Sequence, residues 1–227
     1  MMQLNSDFSQ HTIVTPNNYQ WVCSPRSGVK LMMFDRIGNE QARATSLVRY
    51  EPGSIFPMHN HPGGEEILVL SGIFTEYNTD YSAGWYLRSP DGSSHQPSSK
   101  VGTTIFVKLR QMTAEENQYV RIDTNDPKNW HYYAQGEVCP LYKSVRECVV
   151  LLKVKAGERL FCSPLNGGAE ILLLEGELTE PFGRYEKGSW LRLPPGDMPS
   201  LIASASGAKL YLKTGHLSPA TLTGAIP

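Results

Sequence analysis

The chain has 227 residues, 40% of them hydrophobic and 19% charged, and its 21 Lys and Arg stand against 22 Asp and Glu for a net charge of −1. This composition excludes a disordered chain, and the charge balance gives no basic footprint for nucleic acid or an anionic membrane. No apolar run approaches the roughly 20 residues of a spanning helix, and the start MMQLNSDFSQHTIV lacks a basic stretch followed by an apolar one, so a cytoplasmic protein is expected.

In chain order, short runs rich in Val, Ile, Leu, Tyr and Thr lie between scattered glycines and prolines. Strands are predicted at residues 45–50, 66–70, 85–88, 103–109, 148–154, 171–174 and 209–213, each bounded by turn residues. Residues 113–117 and 218–222 alone have any helical character. Many short strands at close spacing predict an all-β sandwich or barrel architecture. Cys23, Cys139, Cys148 and Cys162 form no CxxC pair and are expected as buried or half-buried free thiols.

The chain repeats itself. Residues 53–95 overlay 157–199 at a shift of 104 without a gap, and sixteen of the 43 positions are identical. A shift of 109 aligns Ile13, Thr15 and Trp21 with Ile122, Thr124 and Trp130. The five extra residues of the first copy are expected in a polar loop at 35–41. Two similar β domains follow: residues 1–117 and 118–227, joined around 112–119.

One set of positions differs between the copies. His59, His61, Glu65 and His95 of the first are Ser163, Leu165, Ala169 and Pro199 in the second. Joint replacement of these four points to a metal site in the first copy alone. Glu66 persists as Glu170, which marks it as structural and Glu65 as functional. His59 and His61, two apart in a strand, face one side. Glu65 opens the next strand after the turn Pro62-Gly63-Gly64 and can complete that face. His95 must arrive from a neighbouring strand pair. Three imidazoles and a carboxylate suit Zn, Fe, Mn, Ni or Cu and would make a poor calcium site. His11, His131 and His216 lack such company and are expected at the surface.

These residues resemble a known family. Gly53-x₅-His59-x-His61-x₃-Glu65-x₆-Gly72 and Gly84-x₅-Pro90-x-Gly92-x₂-His95 match the two motifs of the cupin superfamily, with Ser99 where an Asn is usual. The wording HPGGEEILVLSGIFTEY, YSAGWYLRSPDGSSHQP and GTTIFVKLRQM resembles the cupin domain of ChrR-type anti-sigma factors. The resemblance implies two tandem cupin (jelly-roll, double-stranded β-helix) barrels, with zinc on His59, His61, Glu65 and His95. It does not extend to the helical sigma-binding half of that family, so a sigma-factor partner is not expected. Leu165, Leu172 and Leu174 are expected to fill the second barrel.

Two functions follow as expectations. One is a non-enzymatic, sensor-type module holding one divalent metal, Zn first and Fe, Mn or Ni as alternatives, and responding to an oxidant or small ligand. The other is a non-haem Fe(II) dioxygenase acting on a small diketone or hydroxyketone, a chemistry found in the same cupin subgroup. Tyr50, Tyr86, Arg88 and Lys108 are candidates for the barrel interior. Arg88, matched by Arg192, reads as a structural ion pair, and Tyr86, matched by Trp190, as packing. Residues 8–14 and 119–123 are expected to add edge strands to a neighbouring barrel, within one chain or across a homodimer.

Overall fold

The computed structural model describes residues 1–25, 27–181 and 183–218. In chain order the first strands are β1 (Gln3–Leu4), β2 (Thr12–Val14), β3 (Trp21–Cys23), β4 (Val29–Ile37), β5 (Arg43–Tyr50), β6 (Ser54–Ile55) and β7 (His59–His61). They continue as β8 (Glu65–Glu76), β9 (Thr79–Ser82), β10 (Trp85–Ser89), β11 (Ser93–His95), β12 (Ser98–Ser99), β13 (Thr103–Leu109) and β14 (Val120–Asp123). The rest are β15 (His131–Tyr133), β16 (Gly136–Lys143), β17 (Cys148–Val154), β18 (Ala169–Glu180), β19 (Gly183–Glu186), β20 (Trp190–Leu193) and β21 (Ile202–Thr214). The helical content of the described residues is two 3₁₀ turns, Pro16–Asn18 and Pro127–Asn129. Residues 113–117 form turns; 218–222 fall almost wholly outside the described residues. None of the described helices is long and apolar enough to cross a membrane.

The chain divides into two compact units, and they are not consecutive blocks. Of the described residues, unit 1 takes Met1–Ser6 with Gln20–Asn125, and unit 2 takes Asp7–Tyr19 with those that follow Asn125. Unit 1 has the antiparallel sheet order β1-β4-β5-β13-β8-β10-β14, plus the two-stranded sheet β11-β7. Unit 2 has the order β15-β16-β17-β21-β18-β20-β2. The predicted edge strands form, each at the end of its path. β14 pairs with β10, Leu87 opposite Arg121. β2 pairs with β20, Leu191 opposite Ile13. Thus Ile13 takes the place of Arg121, a shift of 108 rather than 109. The turn Pro16–Asn18 recurs 111 residues later as Pro127–Asn129.

The central strands carry the repeat closely: β8 and β18 have the same length, 104 residues apart. Side chains alternate across each strand, so each unit has an apolar face and a second buried face that holds charge. In unit 1, Val48, Tyr50, Ile67, Val69, Phe74, Leu87, Ile105 and Val107 pack into one core. In unit 2 the core takes Leu165, Ile171 and Leu173 with Phe161, Ala169 and Leu201. Leu172 and Leu174 therefore do not fill it; the register puts Ala169, Ile171 and Leu173 inward and, past the irregularities in mid-strand, Leu178.

Three more expectations change. Asp35 lies inside β4, almost fully buried 3.8 Å from Arg43, so the polar loop shrinks to the turn that follows Ile37. His216 is buried, not superficial, with Nε2 3.2 Å from Glu170 Oε2. It follows the end of β21 and shares with Glu170 the charged face of unit 2. His11 and His131 are exposed as expected. Cys139 is buried and Cys148 partly so, but Cys23 and Cys162 are exposed.

Candidate metal centre

β7 and β11 form a small antiparallel pair in which His59 stands opposite His95 and His61 opposite Ser93. Opposed residues bring their side chains together, and the two-residue period puts His61 on the side of His59. The turn at Pro62-Gly63-Gly64 then brings the chain back into β8 at Glu65. Both glycines have positive φ, +70° and +75°. A Cβ on Gly63 would sit 2.9 Å from the Arg110 Cα and one on Gly64 3.0 Å from the Ser89 carbonyl oxygen, so side chains at this turn would be strained against backbone.

The three imidazoles converge. Ring centroids lie 4.6 Å apart for His59 and His61, 5.0 Å for His59 and His95, and 4.7 Å for His61 and His95. One ligating nitrogen from each falls within 4.8 Å of the others. Glu65 Oε2 stands 3.4 Å from His61 Nε2 and 3.5 Å from His95 Nε2. His61, Glu65 and His95 are buried, while His59 is half-buried and keeps solvent contact on its side.

Outer contacts fix which nitrogen faces inward. His59 Nδ1 lies 2.8 Å from the Pro57 carbonyl, and His95 Nδ1 lies 2.7 Å from Glu76 Oε2. Each contact puts the proton on Nδ1 and leaves the Nε2 lone pair for a ligand. The Nε2 atoms of His61 and His95 are buried and make no hydrogen bond. Buried nitrogens without partners are costly, and a cation at their meeting point would satisfy them. The donor set therefore fits a divalent transition metal.

The protonation states agree. Burial holds the His61 imidazole down to about 3, with His95 and His59 adding to the drop. Burial likewise lowers His59. Burial lifts Glu65 to about 7, and Glu76 adds to the rise while His95 and Arg121 oppose it. Burial works against a His95 cation, but Glu65 and Glu76 outweigh it and raise its pKa. Burial thus keeps His59 and His61 neutral, while Glu65, raised to about 7, and His95, raised by its two carboxylates, form an acid–base pair that shares the pocket's remaining protons.

Glu65 and Glu66 separate as expected. Glu66 turns to the other face and meets Arg88 at 2.9 Å, and Arg88 also reaches Glu116 at 3.1 Å. Of the interior candidates, only Tyr50 lies on the core face, edge-on to Phe74 and near enough to Glu65 to feel its charge. Tyr86 and Arg88, alternating with Leu87, turn the other way, as does Lys108, which bonds Thr45 at 3.0 Å. Ser99, at the usual Asn position, sits in β12 and donates to the Ile73 carbonyl at 2.6 Å.

Sequence reasoning missed Glu76. Its counterpart is Glu180, so comparing the copies marks it as scaffold. In unit 2 that carboxylate accepts instead from the Tyr185 hydroxyl. There the ligand positions are filled by packing: Leu165 and Ala169 lie in the core. Among the described residues the counterpart of the β7-β11 pair forms no strand and keeps a backbone bond, Leu165 N–H to the Asp197 carbonyl at 2.7 Å; Pro164 and Pro199 cannot donate to a ladder.

No curated protein matches the chain. Among solved structures, a candidate dioxygenase from Nostoc punctiforme aligns with a TM-score of 0.72 at 14% identity, covering 94% of this chain and 86% of that one. The bacterial pirin YhhW of Escherichia coli, solved in complex with nickel(II), aligns at 0.63 and 12%, covering 90% and 98%. The E. coli protein Ylba aligns at 0.65 and 16%, covering 92% of each chain. At these identities the likeness is one of fold. The family of ChrR cupin-like domains matches residues 9–113, a span that holds all four candidate ligands. Residues 9–113, a little under half of the chain, are therefore similar to a ChrR cupin-like domain, and the three-histidine group lies within them.

Proposed function

We propose that this protein is a metal-binding bicupin of the sensor type. Its first barrel holds one divalent cation, zinc, on His59, His61, His95 and Glu65, and its second barrel is a structural companion. The observation that carries this reading is the meeting of buried, unbonded Nε2 atoms of His61 and His95 beside Glu65. The apolar packing at the same positions of unit 2 supports one site per chain rather than two. Bound there, the metal would supply Lewis acidity and a rigid anchor for the β7-β11 pair. The residues around it hold imidazoles in one tautomer, shield three ligands from water and leave the His59 side accessible to a small ligand.

The test is elemental analysis of protein purified without added metal. One zinc per chain, abolished by His61→Ala and by His95→Ala, is the expected result. No metal above background, or equal metal in the variants, would overturn the reading.

A second reading draws on the solvent contact at His59 and the fold shared with a candidate dioxygenase. With Fe(II) on the same ligands, the centre would act on a small diketone or hydroxyketone. Iron in anaerobically purified protein, with dioxygen uptake on adding a diketone, would favour it over the sensor.

A further inference from the structure

Arg121 lies outside the span matched by the family, in the strand that ends unit 1, yet it reaches the metal centre through one intermediate. Its guanidinium lies 2.7 Å from Glu76 Oε1, and the other oxygen of Glu76 lies 2.7 Å from His95 Nδ1. The same guanidinium donates to Ser89 Oγ at 3.0 Å and to the Arg88 carbonyl at 2.8 Å. Glu76 and His95 are buried, so the inner contact is out of bulk solvent, while the Arg121 side chain is 22% exposed. The strand that carries Arg121 is itself held down. Thr124 donates from both N and Oγ1 to the Gly84 carbonyl, and Asn125 Nδ2 donates to the Ala83 carbonyl.

We propose that Arg121 is a positioning residue of the metal centre, acting through Glu76 to fix the tautomer and ring angle of His95. This rests on the metal-binding reading above. A carboxylate held by a guanidinium at one oxygen has its other oxygen aimed, and it then orients the imidazole it accepts from. Without Arg121, Glu76 keeps its bond to His95 but loses the contact that fixes its own rotamer. Coupling is reciprocal: if Arg121 strengthens metal binding, metal binding strengthens the hold on β14. The functional metal unit then extends past residue 113 to Asn125, and the segment leading into unit 2 is tied to metal occupancy.

The experiment uses the full chain with zinc and cobalt(II) as probes. Arg121→Ala should weaken zinc affinity by about 10- to 100-fold and alter the cobalt(II) ligand-field spectrum, and Arg121→Lys should recover part of both. Glu76→Gln, which keeps an acceptor for His95 but no charge for Arg121, should fall between wild type and Arg121→Ala. Amide exchange across residues 120–123 should slow when zinc binds wild-type protein and change less in Arg121→Ala. A purely structural role would lower thermal stability equally with and without metal and leave affinity and spectrum unchanged. Affinity within twofold of wild type with an unaltered spectrum, or amide exchange indifferent to zinc, would overturn the proposal while leaving the metal site standing. Failure of the wild-type protein to bind either ion would instead overturn the parent reading.

Discussion

Glu65 and Glu66 are consecutive in β8 and serve opposite faces of it: Glu65 meets the Nε2 atoms of His61 and His95, and Glu66 meets the Arg88 guanidinium at 2.9 Å. The two substitutions should therefore part company. Glu65→Gln should abolish stoichiometric metal and leave the metal-free fold intact, because it leaves the Glu66–Arg88 and Glu76–Arg121 ion pairs untouched. Glu66→Gln should leave metal content unchanged and cost about 3 kcal/mol, since Arg88 keeps Glu116 but loses its closer partner. Metal analysis and urea denaturation of both variants check the pair. Metal lost in Glu66→Gln and kept in Glu65→Gln would reverse the assignment.

Acidity should control loading through Glu65. Its carboxyl sits at about 7 in the metal-free protein, whereas His61 stays neutral down to about 3. Binding below about pH 7 must expel the Glu65 proton, so affinity should fall as pH falls, by up to about tenfold per unit for each proton displaced. Competition against a chromophoric chelator between pH 5.5 and 8 measures this. An affinity independent of pH across that window would contradict it.

The same carboxyl has a stability consequence with the opposite sense. Its folded pKa is raised above the ordinary 4.5, so between about 4.5 and about 7 the folded metal-free chain holds a proton that the unfolded chain has lost. Its contribution to stability therefore declines as pH rises through that window. His61, with its folded pKa depressed, contributes stability that declines as pH falls from about 6.5 to about 3. Comparing wild type with Glu65→Gln isolates the first effect: the variant should gain relative to wild type as pH rises from 4.5 to 7. Parallel stability curves would refute it.

Gly72 tests the repeat as a physical object. It has φ of +71°, and a Cβ there would come 1.9 Å from the Gly102 carbonyl oxygen; Gly176 has φ of +73° and would meet the Gly207 oxygen at 2.1 Å. Gly92 also has positive φ but nothing within 4 Å of a Cβ. Gly92→Ala should cost about 1 kcal/mol from the left-handed conformation alone. Gly72→Ala and Gly176→Ala should each cost clearly more, because backbone must move. Thermal denaturation of the three variants decides; equal shifts would contradict the close approach.

Much of the first unit's site was legible in the sequence, for a specific reason. The duplicated chain carries its own control, and four ligand-type residues vanish together from one copy. That comparison cannot see Glu76, whose type is shared by Glu180 although their partners differ, nor Arg121, which lies beyond the ungapped overlay. The strand positions were legible from their residue types. Their facing was not, because a one-residue slip exchanges faces: it put Leu172 and Leu174 where Ile171 and Leu173 belong, and offered Tyr86, Arg88 and Lys108 as interior residues. The two end strands were foreseen as edge additions, but which unit each completes depends on pairing between residues far apart in the chain. His216 looked isolated because its partner Glu170 is distant in sequence and near only once β18 and β21 pair.

The most direct measurement is an anomalous difference map, recorded on both sides of the zinc and iron edges from crystals of protein purified without added metal. The account predicts a single peak in each chain, within bonding distance of His59, His61 and His95 Nε2 and of a Glu65 oxygen, with no peak beside Leu165 and Ala169. A peak in the second unit, or ordinary solvent between the three imidazoles, would contradict it.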